Sequence, residues 1–260
     1  MKPCVKSLVL ELLVAKDGAP LQVREAIVAC ELFGISENNV RVTLARLTIE
    51  ALLEGVGRGS YQLGPQAKDI SSQLFEWRSV EQHLRAWDGS YLMVVCNALG
   101  RSDRNVLRQR ERALHMVGFA ELDKDLYVRP NNIGPDTEAL RRRLIELGLE
   151  PAALVFQATG FEEAQAQRIQ DQWNGDLLND SYRRTCQQLE SWALRAEQLK
   201  LDAAARESFI LGREAIRQIV FDPLLPEPLV NVALRNEFFV CTKRFVDHGH
   251  QIWRTFLQQP

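Results

Sequence analysis

The sequence predicts an α+β fold in three parts: an N-terminal winged helix-turn-helix over residues 1–66, a central ferredoxin-like (βαββαβ) domain over 89–160, and a C-terminal all-helical domain over 161–260. A linking helix is expected over 67–88. Three observations carry this expectation. Residues 36–64 read as an amphipathic helix followed at once by a glycine-rich hairpin. Residues 91–158 run in the order strand, helix, strand, strand, helix, strand. From Phe161 onward the apolar residues recur at helical spacing.

The first helix is expected over Ser7 to Lys16, with Leu8, Leu12 and Leu13 on one face, punctuated by Asp17-Gly18 and Pro20. A second runs from Val23 to Phe33, with Ile27 and Leu32 inward, and Gly34 closes it. Ser36 stands where an N-cap belongs, its hydroxyl able to accept an orphan amide proton. The third helix, about Glu37 to Leu52, buries Val40, Leu44 and Leu47. Two helices joined by so short a turn form a helix-turn-helix, whose second helix enters the major groove.

The hairpin Leu53 to Leu63 turns through Gly55, Gly57, Arg58 and Gly59 and reads as a wing. Its Gly55-Val-Gly57-Arg-Gly59 run follows a helix and lacks the spacing of a phosphate-cradling loop. The linking helix carries Ile70, Leu74 and Trp77 at burial spacing.

In the central part, Tyr91 to Cys96 is an apolar run of strand length and Asp103 to Val117 an arginine-rich amphipathic helix. Strands are expected over Phe119 to Leu122 and Leu126 to Val128, a helix over Thr137 to Leu147, and a last strand over Ala153 to Ala158. Helices over Glu163 to Trp173, Leu177 to Leu199 and Ala204 to Val220 follow. The proline-rich loop Asp222 to Pro228 then precedes a final helix or pair over Val230 to Leu257.

The chemistry of the third helix points to double-stranded DNA. Asn38, Asn39, Arg41 and Thr43 lie near the end that reaches base edges in this motif, and Arg46, a turn later, suits a phosphate. Arg58 stands at the hairpin tip, beside Ser60 and Tyr61, where it can meet the minor groove or the backbone. Charge gives no global support: the chain's formal net charge is −2, and residues 1–76 hold 8 Lys/Arg against 9 Asp/Glu. Binding must rest on local contacts.

Five dispersed cysteines without a CxxC pair, and an N-terminus lacking a cleavage signal, read as thiols in a reducing cytoplasm. No apolar run reaches eighteen residues, so no membrane span is expected. No cofactor, metal or catalytic constellation is expected. Asp247-His248-Gly249-His250 lacks a further ligand at useful spacing, His83 and His115 stand alone, and no nucleophile comes with its base. Trp173, Trp192 and Trp253 fit a core better than a ligand cage. Arg101, Arg104, Arg108, Arg110 and Arg112 on one helix, and Arg141-Arg142-Arg143 on another, read first as solvated faces and second as holders of ligand phosphates or of a second subunit.

Three stretches in this order resemble the phenylacetic-acid degradation repressors of the PaaX family: Val40-Arg41-Val-Thr-Leu-Ala-Arg46-Leu47, Trp87-Asp88-Gly89-Ser-Tyr91, and Phe221-Asp222-Pro223-Leu-Leu-Pro226. The resemblance covers essentially the whole chain. It implies a dimeric bacterial repressor in which Arg41 and Arg46 contact operator DNA and Gly57-Arg58-Gly59-Ser60-Tyr61 forms the wing. It also implies a small-molecule effector such as phenylacetyl-CoA or a related CoA thioester, whose pocket is not assigned to residues. Two departures stand out. The wing has fewer arginines than is usual in the family, and Val95-Cys96-Asn97-Ala98-Leu99 carries no acid where the family's strand ends in one. The missing acid weighs against the first alternative, a metal-dependent nuclease using the central domain. The second alternative is a protein-interaction module whose winged helix does not bind DNA.

Overall fold

The structure, a computed structural model, describes residues 3–16, 18–67 and 77–258. It is a mixed α+β chain with two small antiparallel sheets, and it divides into two compact units. One comprises the chain up to Arg78, Gln187–Ile216 and the chain from Val240 on; the other comprises Ser79–Cys186 and Arg217–Phe239. The helices expected as a single C-terminal domain are thus shared between the two. Ile70 and Leu74 of the expected linking helix lie outside the described residues.

The first unit opens with α1 (Val5–Ala15), the short β1 (Leu21–Gln22), α2 (Val23–Glu31) and α3 (Glu37–Ile49), followed by the hairpin strands β2 (Leu53–Gly57) and β3 (Ser60–Leu63). The strands form one antiparallel sheet in the order β1-β3-β2. Leu8, Val9, Leu12 and Leu13 of α1 meet Val40, Leu44 and Leu47 of α3 in one core. Burying each such side chain is worth about 1.5–3 kcal/mol. On α2 the buried residues are Ala26, Ala29 and Cys30, while the expected Ile27 and Leu32 are half-buried at the core's margin. The difference is one of size. Small side chains let a helix approach its neighbours closely, and an apolar-bulk pattern overlooks them.

Two backbone devices fix the angle at which α3 meets its surroundings. Gly34, at φ 69°, ends α2 and returns Ile35 N to Cys30 O. After α3, Ala51 at φ 53° turns the chain into β2, and Gly64 packs so closely that a Cβ there would lie 2.4 Å from the Ala51 carbonyl oxygen. Ser36 does occupy the N-cap of α3, but its side chain makes no capping bond. The later helices α8 (Leu201–Val220) and α9 (Val232–Leu257) send Ala205, Phe209, Trp253 and Phe256 into this same core. Phe209 lies 5.3 Å from Phe33 and 6.0 Å from Trp253 between ring centroids. Trp192 is fully buried and donates its indole N–H to Glu207. Trp192 and Trp253 are therefore core residues.

The second unit holds β4 (Tyr91–Val95), α4 (Arg104–Met116), β5 (Ala120–Asp123), β6 (Leu126–Pro130), α5 (Thr137–Leu147) and β7 (Leu154–Ala158), then α6 (Glu163–Gln170) and most of α7 (Gly175–Arg195). The sheet order is β5-β6-β4-β7, every pairing antiparallel. β4 is interior to the sheet and buried on both faces, which is why it reads as an unbroken apolar run. Leu92 and Val94 join Leu114, Leu140 and Leu144 on one side, and Tyr91 and Met93 join Ile169 on the other. Asp103 and Asp136 cap α4 and α5 through their side chains, and Gly148, left-handed at φ 115°, ends α5.

The Trp87-Asp88-Gly89 and Asp222-Pro223 stretches are structural fasteners within this unit. Trp87 donates its indole N–H to Ser90 O at 2.6 Å, Asp88 accepts from Ser90 N and Oγ, and Gly89 turns at φ 84°. Together they deliver Tyr91 edge-on to Trp87 at the head of β4. Asp222 is buried. It accepts from Tyr182 Oη at 2.6 Å and from Leu224 N at 2.8 Å, and burial raises its carboxyl above the usual range against these hydrogen bonds and the neighbouring Arg235 and Arg129. Pro223 lies so near Gly118 that a Cβ there would be 2.7 Å from its backbone.

Candidate nucleic-acid interface

Helix α3 has an inner and an outer side set by its 100° step per residue. Val40, Thr43, Leu44 and Leu47 face the core, which leaves Asn38, Val42, Ala45 and Ile49 along the line opposite. Asn38, Asn39, Arg41 and Arg46 are exposed as expected, and so is Arg58 at the hairpin turn.

Two expected contacts point elsewhere. Thr43 is only 7% exposed, its hydroxyl 3.4 Å from Asn39 Oδ1. Ser60 is 9% exposed and accepts from Gln22 Nε2 at 3.1 Å, stitching β1 to β3. Thr43 falls on the same helical face as Val40 and Leu47, and Ser60 is held by strand pairing, so neither offers much surface to a partner. Tyr61 is half-buried against the core. Val42, 60% exposed, and Ile49, 86% exposed, went unnoticed in the sequence as outward residues. The helical wheel that buries Leu44 would have found them.

The charges on this surface are mostly paired. Arg41 reaches Glu37 at 2.7 Å, Arg46 lies 3.6 Å from Glu50, and Lys6 reaches Glu50 at 3.3 Å. Such exposed pairs are worth roughly 0.3–0.5 kcal/mol, so a phosphate or a guanine edge can compete for each arginine. Among the described residues Arg58 makes no ion pair. Arg24, exposed in the first turn of α2, is a further cation on this unit that the sequence reading passed over. The hairpin is held in register by β2–β3 pairing from Leu53↔Leu63 to Gly57↔Ser60, with Gly59 at φ 71° completing the turn. Arg58 is thereby carried at the tip of a defined two-strand arm.

The other candidates resolve into ordinary structure. Asp247 pairs with Arg78 at 2.6 Å, and His248 packs against Trp192. Burial and the neighbouring Arg78 push His250 below its usual value. Arg101 pairs with Asp125, and Arg110, fully buried, donates to both Glu150 oxygens and to Gly100 O. Arg141 pairs with Glu138 and donates to Val155 O at 2.7 Å. Among the described residues no helix is long and apolar enough to cross a membrane.

Comparison with known proteins adds a likeness over part of the chain to this geometry. Residues 173–255 match the family model described as PaaX-like protein C-terminal domain. That segment is similar to PaaX-like C-terminal domains, which supports the PaaX-family resemblance of the sequence. Over nearly its whole length the fold is similar to that of the uncharacterized protein Rv0674 from Mycobacterium tuberculosis, with a TM-score of 0.67 and 21% identity, covering 98% of this chain and 99% of that one. No curated protein matches the sequence.

Proposed function

We propose that the chain is a sequence-specific DNA-binding transcriptional regulator, a repressor of a catabolic operon of the phenylacetate type. The observation that carries this reading is the outer face of α3. Asn38, Arg41 and Arg46 surround Val42 there, opposite a fully packed inner face, with an arginine-tipped hairpin following in the same small sheet. In this reading α1 to β3 is a winged helix-turn-helix, and the β5-β6-β4-β7 sheet with α4 and α5 is a ferredoxin-like domain. The PaaX-like segment supports the regulatory role.

The mechanism follows from the motif. Each α3 lies in a major groove, with Asn38 and Arg41 toward base edges, Val42 toward a thymine methyl, and Arg46 and Arg58 on the backbone. A homodimer places two such helices on related half-sites. An effector, such as an aryl-CoA thioester, releases the operator by favouring the arrangement that does not bind DNA; a tenfold loss of affinity needs only about 1.4 kcal/mol of coupling.

One observation favours a different reading. The outermost line of α3 carries apolar Val42 and Ile49, and its flanking arginines are paired with acids, as on a protein-docking helix. For the nuclease alternative, Asp125, whose carbonyl accepts Cys96 N at the end of β4, has its carboxylate engaged by Arg101.

Capture of fragmented genomic DNA by the full chain at near-physiological salt separates these readings. Recovery of a few promoter fragments sharing an inverted repeat is the expected result. Uniform recovery that vanishes as salt rises would favour the docking helix and end the regulator reading.

A further inference from the structure

Helix α4 carries a second basic feature that the recognition-helix reading does not use. Of its arginines, Arg110 is buried and paired, and Arg101 just before the helix is paired. Arg104, Arg108 and Arg112 remain. All three are exposed, and among the described residues none makes an ion pair. They stand at i, i+4 and i+8, on the side of the helix away from Ala113 and Leu114. At about 1.5 Å rise per residue they form a slanted row on one side of the helix, with axial steps of about 6 Å and an axial length of about 12 Å. The exposed groups beside the row are Asn105, Glu111 and His115.

Local physics disfavours this arrangement. Like charges one turn apart repel, and Arg104 opens the helix at its positive end, where the acid Asp103 caps the backbone but makes no ion pair with the row. Nothing among the described residues offsets either effect through an ion pair to the three. A partner carrying negative charge in a line would do so. A nucleic-acid strand presents regularly spaced phosphates along its backbone, so each guanidinium of the row can meet a different one. Guanidinium forks suit phosphate oxygens geometrically. A CoA-type ligand, by contrast, gathers its phosphates in a compact cluster and calls for arginines converging in a pocket, not an open row.

We propose that Arg104, Arg108 and Arg112 form a sequence-independent contact for a nucleic-acid backbone, separate from α3. This inference does not depend on α3 reading bases.

The test is salt-dependent binding of the full chain to a mixed-sequence duplex and to a promoter fragment recovered by capture, comparing wild type, R104Q/R108Q/R112Q and R41A. The triple variant is expected to bind both duplexes more weakly, with a salt slope shallower by about 2–3. Its preference for the promoter fragment stays unchanged, and its thermal midpoint is equal to or above that of the wild type. R41A is expected to lose the preference while keeping the slope contributed by the row. An unchanged affinity and slope in the triple variant would overturn the inference while leaving the regulator reading intact. So would a thermal shift by CoA that the triple variant alone loses, with duplex binding retained. If wild type shows no promoter preference but the slope still depends on the row, the regulator reading fails and this inference stands.

Discussion

Arg41 and Glu37 sit one turn apart on α3 with their charged atoms 2.7 Å apart, the two side chains 58% and 55% exposed. The pair holds Arg41 along the helix at little energetic depth, since solvent screens it and the i,i+4 geometry contributes only about 0.3–0.5 kcal/mol. A guanine edge or a phosphate offers a stronger, charge-assisted partner. Arg41→Ala is therefore expected to cost specific DNA binding about 1–3 kcal/mol while leaving the thermal midpoint nearly unchanged. Titration against a captured promoter fragment and its scrambled counterpart checks this. Equal affinities of variant and wild type for both would remove Arg41 from the interface.

Val42 and Thr43 exchange the roles their chemistry suggests, because helical geometry turns the hydroxyl inward and the isopropyl group outward. Replacing thymine by deoxyuracil at the contacted step is expected to weaken wild type by up to about 0.8 kcal/mol, the worth of one buried methyl group. Val42→Ala should be insensitive to the same change, and Thr43→Val should bind as wild type does. A double cycle of protein and base substitutions measures the coupling. Additive effects at every thymine would place Val42 away from the bases.

Asp222 is the acid at the centre of the second unit's buried network. Arg129, also buried, donates to Val117 O, Pro130 O and Asn132 Oδ1, and Asn132 in turn donates to Leu224 O. Burial and, after it, the neighbouring Arg235 lower Arg129 to about 9, with Asp222 opposing them. Removing one member of a buried charge set leaves the rest uncompensated. Asp222→Ala is expected to destabilise the protein by about 3–5 kcal/mol, and Tyr182→Phe by about 1–3 kcal/mol, since the buried carboxyl oxygen is left without its donor. Urea unfolding followed by circular dichroism reports both. Midpoints matching wild type would show that the network is dispensable.

Glu11 gives a stability effect with a defined sign. Burial pushes its carboxyl up to about 7 from an ordinary 4.5, with Arg213 opposing from 3.5 Å. The folded chain holds this proton more tightly than the unfolded chain does. Its contribution to stability is therefore fully present below about 4.5, falls as pH rises toward about 7, and is constant above that. Glu11→Gln cannot ionise, so its thermal midpoint is expected to fall less than that of wild type between about pH 5 and about pH 8. Identical falls would mean that Glu11 is not the group responsible.

Much of the element order was legible because the local signals agreed with one another. Helix α5 runs from Thr137 to Leu147 as read, since Asp136 caps one end and Gly148 the other. Strand β6 runs two residues further than read, through Arg129 and Pro130, because a buried arginine satisfied by carbonyls looks like a loop residue in sequence. The partition of residues 161–260 was not legible. An amphipathic pattern in Phe209 or Trp253 says that a face is buried but not which core receives it. In the candidate interface, residue type marks Arg41 and Arg46 as surface cations, and both are exposed. Thr43, Val42 and Ile49 were misjudged or missed because their direction is decided by helix phase, which residue type does not carry.

Methylation interference on a captured promoter fragment tests most directly whether α3 reads DNA in the major groove. Guanine N7 methylation blocks the major-groove edge that an arginine contacts. Interference is expected at guanines in two half-sites about one helical turn apart, or a multiple of that, with its loss at one position per half-site in Arg41→Ala. Binding indifferent to methylation at every guanine and every adenine of the fragment would contradict it.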